Sequence, residues 1–343
     1  MDVLSNVLET VRLTGALMIT ADLNDPWPIL SPSFEVLLQS RSSKAECVSF
    51  FHIITAGKCL FKMESGKPFL LGNGSVIIFP HGCPHIMAST LQIQPTPIVA
   101  LPNGEGMQGL PKVKHAGPGE NTKLICGYLL CDQRFNPLLG AVPEVIILSP
   151  EKERISKDNP ELLPNTLSIT PNGWLDMNLR HLTDEIKEKN EGSATLITRL
   201  IELMYMEVLR RYMKNLPENS RGWLAAVRDH EVGKALMYLH SNPEEKWNVE
   251  TLASKVGVSR SAFAKRFTEL IGESPMLYLT HWRMQLAKNL LQQPDLSMAM
   301  VAERIGYDSN VSFIRAFKRY VGETPGNWRN YADTINGGIK QVL

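Results

Sequence analysis

The period of the apolar positions changes along the chain. Up to about residue 148 they come in short runs separated by turn residues: Cys47–Thr55, Lys58–Met63, Val76–Phe79, Ile98–Leu101, Leu124–Cys131 and Val145–Leu148. Such runs, bounded by Gly57, Gly66 and Gly72–Gly74, predict strands and hairpins of an all-β barrel or sandwich. Prolines and glycines crowd 92–121, from Pro95 and Pro97 through Gly104, Gly106, Gly109 and Pro111 to Pro118 and Gly119. That stretch predicts a long loop, either a lid or a disordered segment. Beyond residue 170 the period becomes helical. Trp174, Leu175, Leu179, Leu182 and Ile186 form one stripe, with Glu185 and Lys189 as an exposed i,i+4 pair. After Gly192, Ile197, Leu200, Ile201, Met204, Tyr205, Val208, Leu209 and Tyr212 form a wider stripe. A helical pair here either finishes the packing of the barrel or makes a dimer contact, and the apolar width favours the dimer. Asn215–Ser220, with Pro217, marks a linker; Trp223-Leu224-x-x-Val227 opens a helix predicted to run through Leu236 and Leu239.

A phrase then occurs twice. The first copy is Ala253-Ser254-Lys255-Val256-Gly257-Val258-Ser259, with Phe263, Phe267 and a close at Gly272-Glu273-Ser274-Pro275. The second is Ala302-Glu303-Arg304-Ile305-Gly306-Tyr307-Asp308, with Phe313, Phe317 and a close at Gly322-Glu323-Thr324-Pro325. Each copy reads as helix, glycine turn, helix and stop, the plan of a helix-turn-helix. Gly257 suits a turn that needs positive φ, and Ser259 is a good N-cap. In the second copy Asp308 or Ser309 caps. The paired phenylalanines, spaced i and i+4, turn inward. Arg260, Ser261, Ala264, Lys265 and Thr268 are left outside in the first copy, and Asn310, Val311, Ser312, Arg315 and Lys318 in the second. Small polar residues with a few long cations suit a helix entering a major groove. A helix from Pro275 to about Leu291 joins the copies; it spans about 25 Å at ~1.5 Å per residue. That length sets two recognition helices near the ~34 Å spacing of successive major grooves on one DNA face.

Residues 225–331 resemble the C-terminal DNA-binding domain of the AraC/XylS family of bacterial transcription regulators. The words that carry the likeness are Leu252-Ala253, Ser259-Arg260-Ser261-x-Phe263, Arg283-Met284-x-x-Ala287, Val301-Ala302, Gly306-Tyr307, Phe313-x-x-Ala316-Phe317 and Gly322-x-Thr324-Pro325. The resemblance implies base-edge contacts from Ser261 and Lys265 in the first recognition helix and from Asn310 and Arg315 in the second. Arg260, Ser312 and Lys318 are the phosphate candidates, and Ser259 completes the DNA-facing set. Members of this family bind promoter DNA, recruit RNA polymerase and most often activate, responding to a small-molecule effector.

Gly74-x5-Pro80-x-Gly82-x-x-His85, with Phe51-His52 and Gly57 upstream, resembles the second motif of the cupin family, a small double-sheet barrel. Asp2-x-Leu4-Ser5-x-Val7-Leu8, Gly15, Leu124-x-Cys126-Gly127-Tyr128 and Pro137-Leu138-Leu139 are similar to the cupin-type regulatory domain fused to such DNA-binding domains. A metal-binding cupin brings two His and a Glu from its first motif. Here Ile54 stands where a second His belongs and no Glu is near, so no metal or cofactor is expected. His52 and His85 become structural or ligand-lining, and His81 a turn residue. Cys47, Cys59 and Cys83 fall on the barrel and read as small buried hydrophobes, with oxidant sensing as the alternative.

With 36 basic and 35 acidic residues the chain is nearly neutral. Residues 225–343 hold 15 Lys/Arg against 12 Asp/Glu and the rest 21 against 23, so the DNA-binding end is weakly positive. Phosphate contacts are then concentrated on the recognition helices. The five cysteines show no metal spacing, no signal peptide is evident, and no apolar run reaches the ~18 residues that span a bilayer. The reading is an α+β multidomain chain: a cupin-like effector-sensing barrel at 1–148, a helical linker and dimerisation segment at 149–220, an all-α double helix-turn-helix domain at 221–331 and a tail at 332–343. It describes a cytoplasmic, nucleoid-associated, homodimeric regulator without membrane contact and without enzymatic activity. The alternatives are a redox-responsive regulator, a cupin metal-dependent enzyme carrying a DNA-binding appendage, and an architectural DNA-binding protein with no effector.

Overall fold

Short apolar runs bounded by turn residues build two facing sheets. The larger contains β1 (Leu13–Asn24), β3 (Cys47–Ala56), β6 (Val76–Phe79), β9 (Asn103–Glu105), β10 (Pro111–His115), β11 (Asn121–Cys131), β12 (Val145–Leu148) and β13 (Thr166–Ile169), in the order β13-β12-β6-β3-β11-β1-β10-β9. The smaller contains β2 (Pro28–Leu30), β4 (Lys58–Met63), β5 (Phe69–Gly72), β7 (His85–Ala88) and β8 (Thr96–Pro97), in the order β5-β4-β7-β2-β8. This computed structural model describes residues 3–10, 13–31, 47–64, 67–97, 103–105, 111–131, 142–149, 166–169, 173–188, 190–217 and 220–330. The chain divides into two compact units. One holds Leu13–Asp132 and Val142–Tyr212, the other Met1–Arg12, Gln133–Ala141 and Met213–Leu343.

Between the sheets lie Trp27, Phe50, Phe61, Phe79 and Tyr128, none exposed by more than 1%. Register explains which side chains meet: Tyr128 pairs with Phe50 and Cys126 with His52 across β11 and β3, so all four share the inner face.

Two sequence expectations change here. The loop predicted over 92–121 carries short strands, and β10 pairs parallel with β1, Ala21 opposite Val113. Pro and Gly forbid a long element but tolerate an edge pairing of a few residues; the strand expected at 98–101 lies outside the described residues. The boundary at 148 falls inside the sheet, because β13 pairs parallel with β12. Strand β1 carries its own period-two signal: Ile19, Ala21 and Leu23 are buried, while Thr20 and Asp22 between them are half-buried.

Helix α1 (Val3–Thr10) groups with the second unit, although its motif resembles the start of a cupin-type domain. Helices α2 (Trp174–Glu188) and α3 (Ser193–Asn215) break at Gly192, whose φ of 84° suits glycine alone. Glu185, expected to pair with Lys189, accepts a hydrogen bond from the Ser193 hydroxyl. Lys189 lies outside the described residues.

The second unit continues with α4 (Trp223–Arg228), α5 (His230–Ser241), α6 (Val249–Val256), α7 (Arg260–Ile271), α8 (Pro275–Leu290), α9 (Met298–Arg304) and α10 (Asn310–Val321); residues 325–330 are also helical. The helix expected from 223 to 239 is two. Asp229 interrupts it at φ −66°, ψ 136° and caps α5, accepting from the amides of Glu231 and Val232. An aspartate does better at an N-cap than inside a helix. Helix α1 packs against α5 and α8 with Val3, Leu4 and Val7 buried.

Helix α8 is buried nearly all round, as a helix shared by two cores must be. Tyr278 and Trp282 enter the first core, where Trp223 Nε1 donates to the Tyr278 hydroxyl at 2.8 Å and His240 stacks on Trp282 at 3.9 Å. Met284 and Ala287 enter the second core with Phe313, Phe317 and Trp328.

Candidate nucleic-acid interface

Both helix-turn-helix units are assembled by the same local devices. Gly257 closes α6 at φ 81°, and Ser259 caps α7 by accepting from the Ala262 amide at 3.3 Å. In the second copy Gly306 adopts φ 79°, and Ser309 rather than Asp308 caps α10, accepting from the Ser312 amide at 3.2 Å. Gly272 and Gly322 terminate the two recognition helices in the left-handed region. Phe263 and Phe267 are buried in α7, and Phe313 and Phe317 in α10, each pair edge to face at 5.7 Å between centroids. Burying those two positions per helix turns the opposite surface outward.

That surface carries the residues named from sequence. Ser259, Arg260, Ser261 and Lys265 are exposed on the first unit, and Asn310, Ser312, Arg315 and Lys318 on the second. Val311, 58% exposed, lies among the latter, an apolar group where a core residue would be hidden. All three serines of that set are already engaged. The Ser312 hydroxyl donates to the Ser309 carbonyl at 2.8 Å, and Ser259 and Ser261 hydroxyls stand 3.4 Å apart. Lys265 faces Glu269 at 4.0 Å. Arg266, on the same helix, turns away and grips the Asp229 carboxylate at 2.8 Å and 3.0 Å. Burial alone would raise the Asp229 pKa, but the Val232 amide, the Arg266 guanidinium and the Glu231 amide outweigh it and hold the carboxyl below its usual range.

In the sequence Arg283 stands out only as part of Arg283-Met284-x-x-Ala287. The structure places it in the middle of α8, donating from Nε to the Pro243 carbonyl at 2.7 Å and from Nη2 to the Glu245 carbonyl at 2.9 Å. Its guanidinium also lies 5.8 Å over the Tyr307 ring. Arg329 acts similarly further along, donating to the carbonyls of Leu291 at 3.3 Å and Leu296 at 2.6 Å. An arginine at a helical spacing was the available signal; its carbonyl partners are about forty residues away and were invisible.

In the barrel the two histidines named from sequence do meet. The turn at Pro80–Gly82 makes this possible: Gly82 has φ 62°, and a Cβ there would stand 2.6 Å from the Val48 carbonyl. His52 Nε2 and His85 Nε2 are 2.7 Å apart, and His85 Nδ1 is 2.8 Å from the Cys83 carbonyl. Burial, aided for His52 by the neighbouring His85, depresses both pKa values, His85 to about 4, so both rings are neutral at pH 7. A carbonyl can only accept, so His85 donates from Nδ1 and accepts at Nε2, and His52 Nε2–H is the donor between them. His52 Nδ1 is then a buried acceptor without a hydrogen-bond partner. Among the described residues no three His, Cys, Asp or Glu come together to hold a metal. Exposed His81 occupies the turn and faces the Val142 carbonyl at 3.2 Å.

Burial raises the thiol pKa of Cys59, Cys83 and Cys126, with Glu144 adding to the rise at Cys83. Oxidant sensing needs thiolate, so these three cysteines do not favour the redox alternative. No helix among the described residues is long and apolar enough to cross a membrane.

Known proteins resemble the chain throughout. A cupin family profile matches residues 2–162 and 159–214, and a helix-turn-helix domain profile matches 252–331. A protein of Streptomyces antibioticus named as an AraC-like transcription regulator is 27% identical over 96% of this chain and 99% of its own length. The transcriptional regulator AlkR of Acinetobacter baylyi is 25% identical over the same shares. A second AraC-like regulator, from Streptomyces lividans, is 35% identical over 64% of this chain and 67% of its own. The chain therefore belongs to the AraC-like family of transcription regulators, DNA-binding proteins in which, here, a cupin domain precedes a C-terminal helix-turn-helix domain.

Proposed function

We propose that this regulator binds two successive major-groove segments of promoter DNA with α7 and α10 and activates transcription by recruiting RNA polymerase. The observation that carries the reading is the outer face of α10, where Asn310, Val311, Ser312, Arg315 and Lys318 are all exposed above a buried Phe313–Phe317 pair. Asn310 and Arg315 read base edges, and Val311 meets a thymine methyl. Lys318, Arg260 and Ser312 take phosphate. Ser261 and Lys265 serve the first groove, with Ser259 opening that helix toward the backbone. Footprinting of duplexes selected from a random-sequence library by the full chain tests this: protection of two adjacent major-groove segments on one face is expected, and protection of one segment or none rejects it.

The signal is a small organic effector bound in the cupin domain, contacting the His52–His85 pair. Its support is the buried lone pair on His52 Nδ1, which an effector's hydrogen-bond donor would satisfy. Such an effector must favour one arrangement of the protein over another to act. A metabolite panel read by melting temperature finds it, because a ligand of the folded state raises Tm; His52→Ala should abolish the rise.

The regulator works as a homodimer in the cytoplasm, associated with the nucleoid when bound to DNA. The support for dimerisation is an exposed apolar face on α2 and α3, formed by Trp174, Met177, Leu196 and Leu203. An antiparallel pairing of two α3 helices about Leu203 sets Arg199 of each copy opposite Glu207 of the other, a self-complementary arrangement. Leu203→Glu should yield monomers in sedimentation; an unchanged dimer rejects this face.

A further inference from the structure

A rod between two recognition helices does not by itself fix their spacing, since each unit could still pivot on its end of the rod. The second unit here is held by more than α8. The loop before α6, residues 243–246, lies against the turn that precedes α10. At that junction Gly306 leaves no room for a side chain: a Cβ would stand 2.5 Å from the Glu244 carbonyl and 2.6 Å from Arg283 Nη2. Arg283 ties the loop from beneath through its bonds to the Pro243 and Glu245 carbonyls, while its guanidinium covers the Tyr307 ring. Lys246 and Asp308 close the outer edge at 2.9 Å, although both are more than 80% exposed and contribute little alone. The cleft at this junction is lined by Glu244, Lys246, Tyr307, Asp308 and Asn310, so it reaches the first residue of the second recognition helix.

One residue therefore touches three elements: the helix that joins the units, the leading loop of the first unit and the turn of the second. The planar fork of arginine bonds both carbonyls while its face stacks on the tyrosine; the point charge of lysine cannot do all three.

We propose that Arg283 is a positioning residue that sets the groove-to-groove spacing of the operator, by locking the 243–246 loop to the 306–308 turn so that α7 and α10 present at one separation. The selectivity rests on the two-groove reading above. One inserted base pair moves a half-site by about 3.4 Å and turns it by about 35°, a shift that a rigid pair of helices cannot follow and a hinged pair can.

The test uses the full chain and a duplex it selects from a random-sequence library, together with two derivatives in which one base pair is inserted or deleted between the protected grooves. Wild type is expected to bind the derivatives about 30-fold more weakly than the parent, in the range of a lost specific base contact. Arg283→Ala should compress that penalty to about threefold, and Arg283→Lys should restore only part of it. A purely structural role would lower affinity for all three duplexes alike and leave the ratio unchanged. Should Arg283→Ala fail to fold, Tyr307→Leu, which removes the ring from beneath the guanidinium but keeps apolar bulk, is expected to reduce the ratio to about tenfold. A folded variant that retains the full ratio overturns the proposal, as does a wild type indifferent to spacing. If wild type protects only one groove, the two-groove reading fails instead, and the outcomes are distinct.

Discussion

In the first helix-turn-helix unit two of the recognition helix's three long cations already have carboxylate partners, and Arg260 is exposed. Arg266 is held by Asp229 at 2.8 Å, and Lys265 faces Glu269 at 4.0 Å. In the second, Arg315 and Lys318 have no ion-pair partner among the described residues, and Val311 and Ile314 stand exposed beside them at 58% and 39%. Yet the cores match: a phenylalanine pair with the same 5.7 Å centroid distance, a serine cap and a left-handed glycine stop. Two copies of one unit have kept what makes them fold and diverged in what they offer to a ligand. Under the proposed function, the first unit mainly orients the protein on DNA and the second carries most of the reading.

The largest expected effect probes the part that is shared. Phe267→Ala and Phe317→Ala should each destabilise the protein by about 3–5 kcal/mol in urea titrations. A difference between them of more than about 2 kcal/mol would mean the cores are not equivalent.

The next separates reading from orienting. Arg315→Ala should weaken binding to a selected duplex by about 10- to 100-fold, as loss of a bidentate base contact does. Lys265→Ala should cost less than about threefold, since its cation is already partly paired and exposed. Equal losses in fluorescence anisotropy at fixed salt would abolish the distinction.

Acidification should sharpen the contrast in stability. His240 is in the first core, where burial lowers its pKa to about 3. Its folded value lies below its unfolded one, so the unfolded chain binds the extra proton and stability falls as pH drops from about 6.5 toward 3. The slope is about 1.4 kcal/mol per pH unit for this group once pH is well below the unfolded value. Against the second core, His281 meets Tyr320 edge-on at 5.3 Å but is only partly buried. Amide exchange in α5 should therefore accelerate between pH 6.5 and 4.5 more than in α10. Parallel acceleration would show that the two units unfold as one.

The smallest effect concerns the clip peculiar to the first unit. Asp229→Ala removes a cap and the Arg266 partner, at a cost of about 1 kcal/mol. The Asp229 pKa is lowered in the folded state, so its charge-dependent contribution is present above about pH 4, the unfolded value, and fades as pH falls through the folded value. The Tm gap between Asp229→Asn and wild type should narrow below that pH; a gap that stays constant would show that the Asp229 charge does not cause it.

Much of this was legible because it is local. The glycine turns, the Ser259 and Ser309 caps and the phenylalanine spacing are readable within a dozen residues, since a helix declares its buried face by its own period. Helices α2 and α3 came out of the same argument with their break at Gly192. The sheet was harder. Strand β10 hides in a Pro- and Gly-rich stretch because its partner is β1, about ninety residues earlier, and β13 was lost because the parallel pair it forms has no turn signal. The break at Asp229 was missed because the apolar period continues across it.

The chain alone determined that there are two helix-turn-helix units, where each begins and ends, and which residues face outward, because caps, turns and helical period act within a few neighbours. Only the tertiary structure decided which outward cations are free, which histidines hydrogen-bond, and that Arg283 joins a loop about forty residues before it to a turn about twenty-four residues after it. Those outcomes depend on distances between side chains from remote segments, and a buried polar group declares its partner only once packing has brought that partner within about 3 Å.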